Sequence, residues 1–298
     1  MKKIIISGAT SMLGCELTKY AIKNDYEAYC IIRPFTSRIN RLDESDKIHF
    51  IYSNLDELSS IKDLPTDCFA FFHFAWDGTR REDRENAVIH SKNIQFTLDA
   101  VDLAKRCGCY KFVFAGSQAE YGKTEGIINE NTITQPESAY GIAKYTAGML
   151  SKKMCSSLGI EHIWARVFSV YGPHDNSWTM IISAINNWEK GKITSFSKAT
   201  QIWNYLYEED AAKMFLRMAD EDVKSGLYLV ANPDSCVLKE YIDILRKEYG
   251  DGAEAVFSSD EKGLKDLNVD ISYTNSILNI QNFVSFEKGI RNTIDFLK

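Results

Sequence analysis

The sequence is short of basic charge: 35 lysines and arginines stand against 41 aspartates and glutamates, a formal net charge of −6. A polynucleotide partner needs a basic face to neutralise its phosphates, so this balance excludes nucleic acid. A small phosphate-bearing ligand stays compatible, because a helix N-terminus can hold one. Of the seven cysteines only Cys107 and Cys109 stand close together, and no second pair or histidine cluster completes a metal site. Their odd number and scattered spacing read as reduced packing thiols rather than a disulfide framework. No apolar run is long enough to cross a membrane, and no basic-then-apolar leader opens the chain. The expectation is a cytoplasmic protein with no metal, no membrane and no nucleic-acid partner. With 298 residues, 45% of them hydrophobic, the chain suffices for one large or two smaller domains.

What the chain does carry is an anion site near its start. Ile4-Ile5-Ile6 has strand character, Ser7-Gly8-Ala9-Thr10-Ser11-Met12-Leu13-Gly14 follows, and Met12, Leu13, Leu17, Ala21 and Ile22 recur at helical spacing. Such a turn aims free backbone N–H groups and the positive end of a helix dipole at one place, which suits a pyrophosphate. Gly8 permits the turn, and Gly14 permits close packing of helix on strand. Ser11 stands where the dinucleotide fingerprint has its middle glycine, so an ordinary strand–helix turn would look similar.

Strand and helix patterns then alternate. Strand-like runs lie at 3–7, 28–32, 48–52, 68–74, 111–115 and 163–167, and helical ones at 11–23, 57–61, 82–107 and 139–158. This calls for an α/β fold, a Rossmann-type doubly wound parallel sheet with helices on both faces. After Gly172-Pro173 the elements shorten, and 260–268 and 273–282 read as polar and irregular. The expected organisation is a dinucleotide-binding domain over 1–167, with part of about 198–230 returning to it. A smaller C-terminal α/β substrate-binding domain would occupy 168–298.

Tyr140 and Lys144 are four residues apart, on one face of a helix. A tyrosine hydroxyl is a poor acid–base at neutral pH, and a nearby ammonium favours its phenolate. Bringing it near neutrality takes roughly 4 kcal/mol of differential interaction. Ser117 falls just past the strand at 111–115, where open α/β sheets place their ligand crevice. Its hydroxyl could hold a carbonyl oxygen while Tyr140 protonates it. A tyrosine four residues before a lysine is also common on solvated helices. Combined with the glycine turn, the set points to a nicotinamide dinucleotide and hydride chemistry.

These segments together resemble the extended short-chain dehydrogenases/reductases that act on nucleotide sugars. The matching residues are Ser7–Gly14, His73-Phe74-Ala75, Asn93, the run from Phe114 to Gly122, Glu130 with Pro136, Tyr140 to Lys144, Arg166 to Pro173 and Trp203 to Asp210. The resemblance implies that Ser117, Tyr140 and Lys144 form a catalytic triad. It implies cofactor contacts at Gly8, Thr10, Ser11, Met12, Leu13, Gly14, Arg33, Asn54, Leu55, Phe74, Ala75, Trp76, Ala115, Tyr140, Lys144, Val167 and Ser169. Substrate contacts fall at Trp76, Gln118, Ser169, His174, Trp203 and Asn204. It further implies a nucleotide-sugar substrate and a homodimer through a four-helix bundle.

Departures from the family pattern narrow the choice. Sugar-nucleotide dehydratases carry an Asp-Glu pair after the triad serine or threonine, and this chain has Gln118-Ala119. GDP-fucose-type epimerising reductases place a cysteine where Ala119 stands. Two activities remain: a 4-ketoreductase using NADPH, and a 4-epimerase that keeps NAD bound. The second strand ends in Arg33 rather than the acidic residue that holds a ribose 2′-hydroxyl, and Arg33, with Arg38, would suit a 2′-phosphate. The expectation is therefore an NADP(H)-dependent reductase of a 4-keto nucleotide sugar, with NAD possible. The sequence around Gln118 and Trp203 is most similar to the abequose and paratose synthase branch. The NAD-dependent 4-epimerase and a catalytically silent dinucleotide sensor stay open as alternatives.

Overall fold

A computed structural model describes residues 1–259 and 265–298. The first half runs β1 (Lys2–Ser7), α1 (Met12–Lys23), β2 (Tyr26–Ile32), β3 (Ile48–Tyr52), β4 (Ala70–His73), α2 (Ala87–Arg106), β5 (Lys111–Ser117), β6 (Ile127–Ile128) and α3 (Ala139–Leu158). The second half continues with β7 (Glu161–Val167), β8 (Ser169–Tyr171), α4 (Met180–Trp188), β9 (Thr194–Phe196), β10 (Ile202–Trp203), β11 (Tyr205–Tyr207) and α5 (Glu208–Met218). It ends with β12 (Gly226–Val230), β13 (Cys236–Val237), α6 (Leu238–Tyr249), β14 (Ala255–Phe257), β15 (Asn268–Val269), α7 (Ser272–Leu278) and α8 (Phe286–Leu297).

Seven strands form one sheet in the order β12-β7-β5-β4-β1-β2-β3, with every neighbouring pair parallel. Both faces are covered, which is why β1 and β5 are buried almost throughout instead of alternating. Ile4 and Ile6 pack with Leu17 of α1 and Met214 and Phe215 of α5, while Ile5 points the other way, toward Val101 of α2 and Ala147 of α3. The chain thus makes the doubly wound α/β sandwich that the alternating pattern requires. On the α2/α3 side an aromatic ladder crosses β4, β5 and β7, with Phe71 and Phe112 at 5.6 Å and Phe114 and Trp164 at 6.3 Å.

Buried polar groups fasten the crevice end of the sheet. His73, at the end of β4, shares hydrogen bonds with Ser7 Oγ at 2.8 Å and Thr97 Oγ1 at 3.3 Å, and burial pushes its pKa down to about 3. Neutral His73 therefore ties β1, β4 and α2 beneath the glycine turn. Beyond β7, α5 and β12 return to the sheet, and other residues build a second lobe around Tyr171, Trp188, Tyr205, Tyr241, Ile242 and Phe286. Asp210 joins the two parts, accepting from Lys213 Nζ at 2.9 Å and Val284 N at 2.7 Å.

Several expected elements differ. The stretch 82–107 is not one helix: it holds a 3-10 turn at Arg81–Asp83, and α2 begins only after Asn86, whose side chain accepts from Ile89 N at 3.1 Å. Of the expected helix at 57–61, residues 57–60 fall in a 3-10 turn, Leu55–Ser60, and Ile61 leaves it in extended conformation. β5 runs on through Ser117, which is its last residue rather than the one beyond it. The stretch 273–282, expected to be irregular, contains α7, because Ile271, Thr274 and Leu278 recur at helical spacing and are buried. Of the expected irregular stretch 260–268, residues 260–264 lie outside the described residues and Asn268 opens β15. Among the described residues no helix is long and apolar enough to cross a membrane.

Gly14 is a tight point between α1 and the glycine turn, since a Cβ there would lie 2.3 Å from the Gly8 carbonyl oxygen. Gly14→Ala is expected to cost about 1–3 kcal/mol by overpacking, seen as a lower urea midpoint at unchanged m-value. An unchanged midpoint would contradict the packing role.

Candidate active site

The glycine turn is built as the sequence implied, with one substitution explained. Gly8 has a φ of 74° and lies so close to the next strand end that a Cβ would sit 2.7 Å from Ala75 N. Ser11, in the middle-glycine position, caps α1 instead: its Oγ accepts from Gly14 N at 3.1 Å. The first N–H groups of α1 have no partner within the helix and face the crevice end of the sheet. A cleft of ≈ 400 Å³ opens there, bounded by Gly8, Thr10 and Ser11, by Arg33, Asn54 and Leu55, and by Phe74, Ala75 and Trp76. A dinucleotide fits this donor set, with bare backbone N–H groups for a pyrophosphate and a cradle that a side chain at Gly8 would fill.

The three candidate catalytic residues converge beside it. Ser138 caps α3, accepting from Gly141 N at 3.1 Å, and the first turn then presents Tyr140 and Lys144 on one face. The Tyr140 hydroxyl lies near enough to Ser117 for that side chain to favour its phenolate. Lys144 Nζ donates to the Ala115 carbonyl at 2.8 Å and lies 3.8 Å from the Trp76 ring centroid. Burial pushes Lys144 down to about 7. Burial also raises Tyr140 above its ordinary value, opposed by the nearby Ser117 side chain and the Arg84 charge. This corrects the expectation that Lys144 drives Tyr140 toward the phenolate. Lys144 Nζ is 6.0 Å from the Tyr140 ring centroid and is directed at a carbonyl and an indole face. The cation nearer the phenol is Arg84, 4.9 Å from the ring centroid.

The remaining candidates divide. Met12 and Leu13 open α1, Val167 ends β7 opposite Ser117, and Ser169 starts β8 opposite Tyr205. Arg33 and Arg38 line the cleft, and Arg33 is exposed. Asn54 starts the 3-10 turn, with its side chain on Glu57 at 3.0 Å. Gln118 Oε1 and Trp203 Nε1 are buried without hydrogen-bond partners, the condition of polar atoms that a ligand would satisfy. His174 belongs to a neighbouring recess, its ring tilted against Phe296 at 4.9 Å between centroids. Asn204 is a correction. It is fully buried, its Nδ2 donates to Asn232 O, Asp234 O and Ser235 Oγ, and its Oδ1 accepts from Asn232 N. That amide is spent on holding the 232–235 turn, so it is not a substrate contact.

Some residues at the site carried no role in the sequence reading. Arg41 Nη1 donates to Thr10 O at 3.5 Å and His174 O at 3.0 Å, tying the phosphate turn to the second lobe. His90 takes the Trp76 indole N–H at 3.2 Å and packs edge-on to Tyr140 at 5.4 Å. Glu120 accepts from Ser117 N at 2.7 Å, and a local signal for it existed: Ser117-Gln118-Ala119-Glu120 has capping-box spacing. Arg41 and His90 had no local signal.

Comparison with known proteins matches residues 4–231 to the NAD dependent epimerase/dehydratase family. A UDP-glucuronate 4-epimerase of Thermodesulfobacterium geofontis is 24% identical, over 99% of this chain and 95% of that protein. A putative UDP-glucose 4-epimerase of Methanocaldococcus jannaschii is 23% identical, over 99% and 98%. Among solved structures, a UDP-glucuronic acid 4-epimerase from Bacillus cereus, in complex with UDP-glucuronic acid and NAD, superposes at TM-score 0.85 and 22% identity, over 99% and 98%. A UDP-N-acetylglucosamine 4-epimerase from Methanobrevibacter ruminantium superposes at TM-score 0.89 and 20% identity, over the same shares. These relatives overturn the expected 4-keto reductase, because they are 4-epimerases. They give no support to NADP(H) or to an abequose or paratose synthase in particular. The physical reason is that a Ser–Tyr–Lys set serves reductase and epimerase alike. The expectation of a reductase rests mainly on Arg33, an exposed strand-end charge, with Arg38 beside it and with Ser169 and Trp203 as departures on the substrate side. By its match over residues 4–231 the chain belongs to the NAD-dependent epimerase/dehydratase family, within the extended short-chain dehydrogenases/reductases.

Proposed function

We propose that the chain is a nucleotide-sugar 4-epimerase, acting on a UDP-sugar with NAD held throughout turnover. The observation that carries this reading is the convergence of Ser117, Tyr140 and buried Lys144 beside the cleft that Gly8, Thr10 and Trp76 line. The names of the relatives support the UDP-sugar and the redox-neutral outcome. The chemistry that bound NAD supplies is reversible removal of hydride from C4 of the sugar. Tyr140 takes the C4 hydroxyl proton as that carbon is oxidised and returns it when the other face is reduced. Ser117 holds the C4 oxygen on the line of that transfer. The Lys144 amine holds the nicotinamide ribose. In this reading residues 1–167 hold the cofactor and 168–298 mainly the sugar, with Gln118 and Trp203 offering their unpartnered polar atoms to it. Arg33 and Arg38 would lie near the adenosine ribose, where they tolerate NAD without requiring a 2′-phosphate. The packing of α2 on α3, with Ile142, Met149 and Leu150 of α3 exposed, supports a homodimer through a four-helix bundle.

A panel of UDP-, CDP- and dTDP-sugars, assayed by chromatography and nicotinamide absorbance together, tests the activity. Interconversion of two UDP-sugars that differ at C4, with no net absorbance change, is expected. Stoichiometric oxidation or reduction of cofactor would contradict it. Tyr140→Phe should lower that turnover by about 10²–10⁴-fold while leaving cofactor binding nearly intact, and turnover near wild type would remove Tyr140 from its role. The nucleotide released on denaturing the purified protein should be NAD, and recovery of NADP alone would reject retained NAD. For the assembly, Met149→Glu with Leu150→Glu should convert a dimer to a monomer in light scattering. A wild-type monomer would discard the bundle.

A further inference from the structure

Directly behind Ser117 lies an ion pair that no step of the proposed reaction uses. Glu120 and Arg166 are 0% and 4% exposed, and Arg166 Nε donates to Glu120 Oε2 at 2.6 Å. The other carboxylate oxygen, Oε1, accepts from Ser117 N at 2.7 Å and from Trp164 Nε1 at 3.4 Å. Arg166 is further enclosed by aromatic faces, 4.5 Å from the Tyr121 centroid and 5.1 Å from that of Trp164. The strand beside it makes room for the pair. Gly116 is in register with Arg166, and a Cβ on Gly116 would sit 2.6 Å from Glu120 Oε1 and 2.5 Å from Trp164 Nε1.

A buried ion pair is poor value as a stabiliser, because desolvating both charges offsets most of their attraction. Its placement suits positioning. The carboxylate grips the main chain of Ser117, and the 118–120 turn supports the start of α3, where a Cβ on Gly141 would lie 2.4 Å from Ala119 O. Resting on the reading of Ser117, Tyr140 and Lys144 as the catalytic set, we propose that the Glu120–Arg166 pair is its positioning device, fixing Ser117 through the backbone and placing a negative charge behind Lys144 and Tyr140. The groups facing these two side chains are Arg84 before α2, His90 on α2, His73 on β4 and Glu120 after β5. Of these, Glu120 is the anion. It favours the ammonium of Lys144 and disfavours the phenolate of Tyr140. The pair thereby raises the ammonium share of Lys144 and favours the protonated form of Tyr140 before substrate binds.

The test needs no substrate, so its outcome is separable from that of the proposed activity. The pKa values of Lys144 and Tyr140 are read by NMR titration of ¹³C-labelled lysine and tyrosine in the full-length protein, with Lys144→Met and Tyr140→Phe used for assignment. Glu120→Gln keeps an acceptor for Ser117 N and removes the charge. It should move both titrations to lower pH, Lys144 by roughly one unit. Should Glu120→Gln fail to fold because Arg166 is left unpaired, Glu120→Gln with Arg166→Met removes both buried charges and should give a smaller shift of Lys144 in the same downward direction, because Glu120 is the partner that acts on Lys144 directly. Titrations that coincide with wild type in a folded variant would reduce the pair to a structural tie and overturn the proposal.

Discussion

The candidate site depends on holding an amine where water is excluded. Lys144 is 4% exposed, and desolvation of its ammonium has to be offset locally. The offset comes from the Ala115 carbonyl at 2.8 Å, the Trp76 face at 3.8 Å and the carboxylate of Glu120 behind them. Such burial requires α3 to lie hard against the sheet, and two glycines allow it. A Cβ on Gly141 would meet Ala119 O at 2.4 Å, and one on Gly148 would meet the Trp164 ring at 2.3 Å. The same close approach sets Tyr140 against Ser117. The packing of one helix therefore determines the geometry of all three residues.

Much of this is legible in the sequence because it is local. The glycine turn, the i, i+4 spacing of Tyr140 and Lys144, and the alternation of strands and helices are short-range patterns, and the sheet follows from them. Ser11 in place of the middle glycine is readable as a departure, and the structure gives its reason as a helix cap. Longer-range features are not legible. Arg166 meets Glu120 across 46 residues, and Arg41 reaches His174 across 133. Asn204 has the family position of a substrate contact, but its amide is taken up by a turn 28 residues away, which no spacing rule reveals. The charge state of Tyr140 escapes the sequence for a related reason. Sequence places a lysine one turn away, but only the fold shows that its amine is directed elsewhere.

The choice between net reduction and epimerisation exposes a limit of reading single residues. Arg33, with Arg38, points to the cofactor and, through it, to the reaction. It is an exposed side chain at the mouth of the cleft, next to Arg38. The catalytic set itself is indifferent to the direction of hydride transfer. What separates the two activities is whether the cofactor stays and whether the keto sugar can present its other face, and neither property belongs to one residue.

The central claim is that hydride leaves and returns to the same carbon. A UDP-sugar carrying deuterium at C4, incubated with the protein and no added cofactor, tests this most directly. The account predicts a C4 epimer that retains deuterium at C4. Loss of the label, or turnover only when a reduced nicotinamide is supplied and consumed, would contradict it.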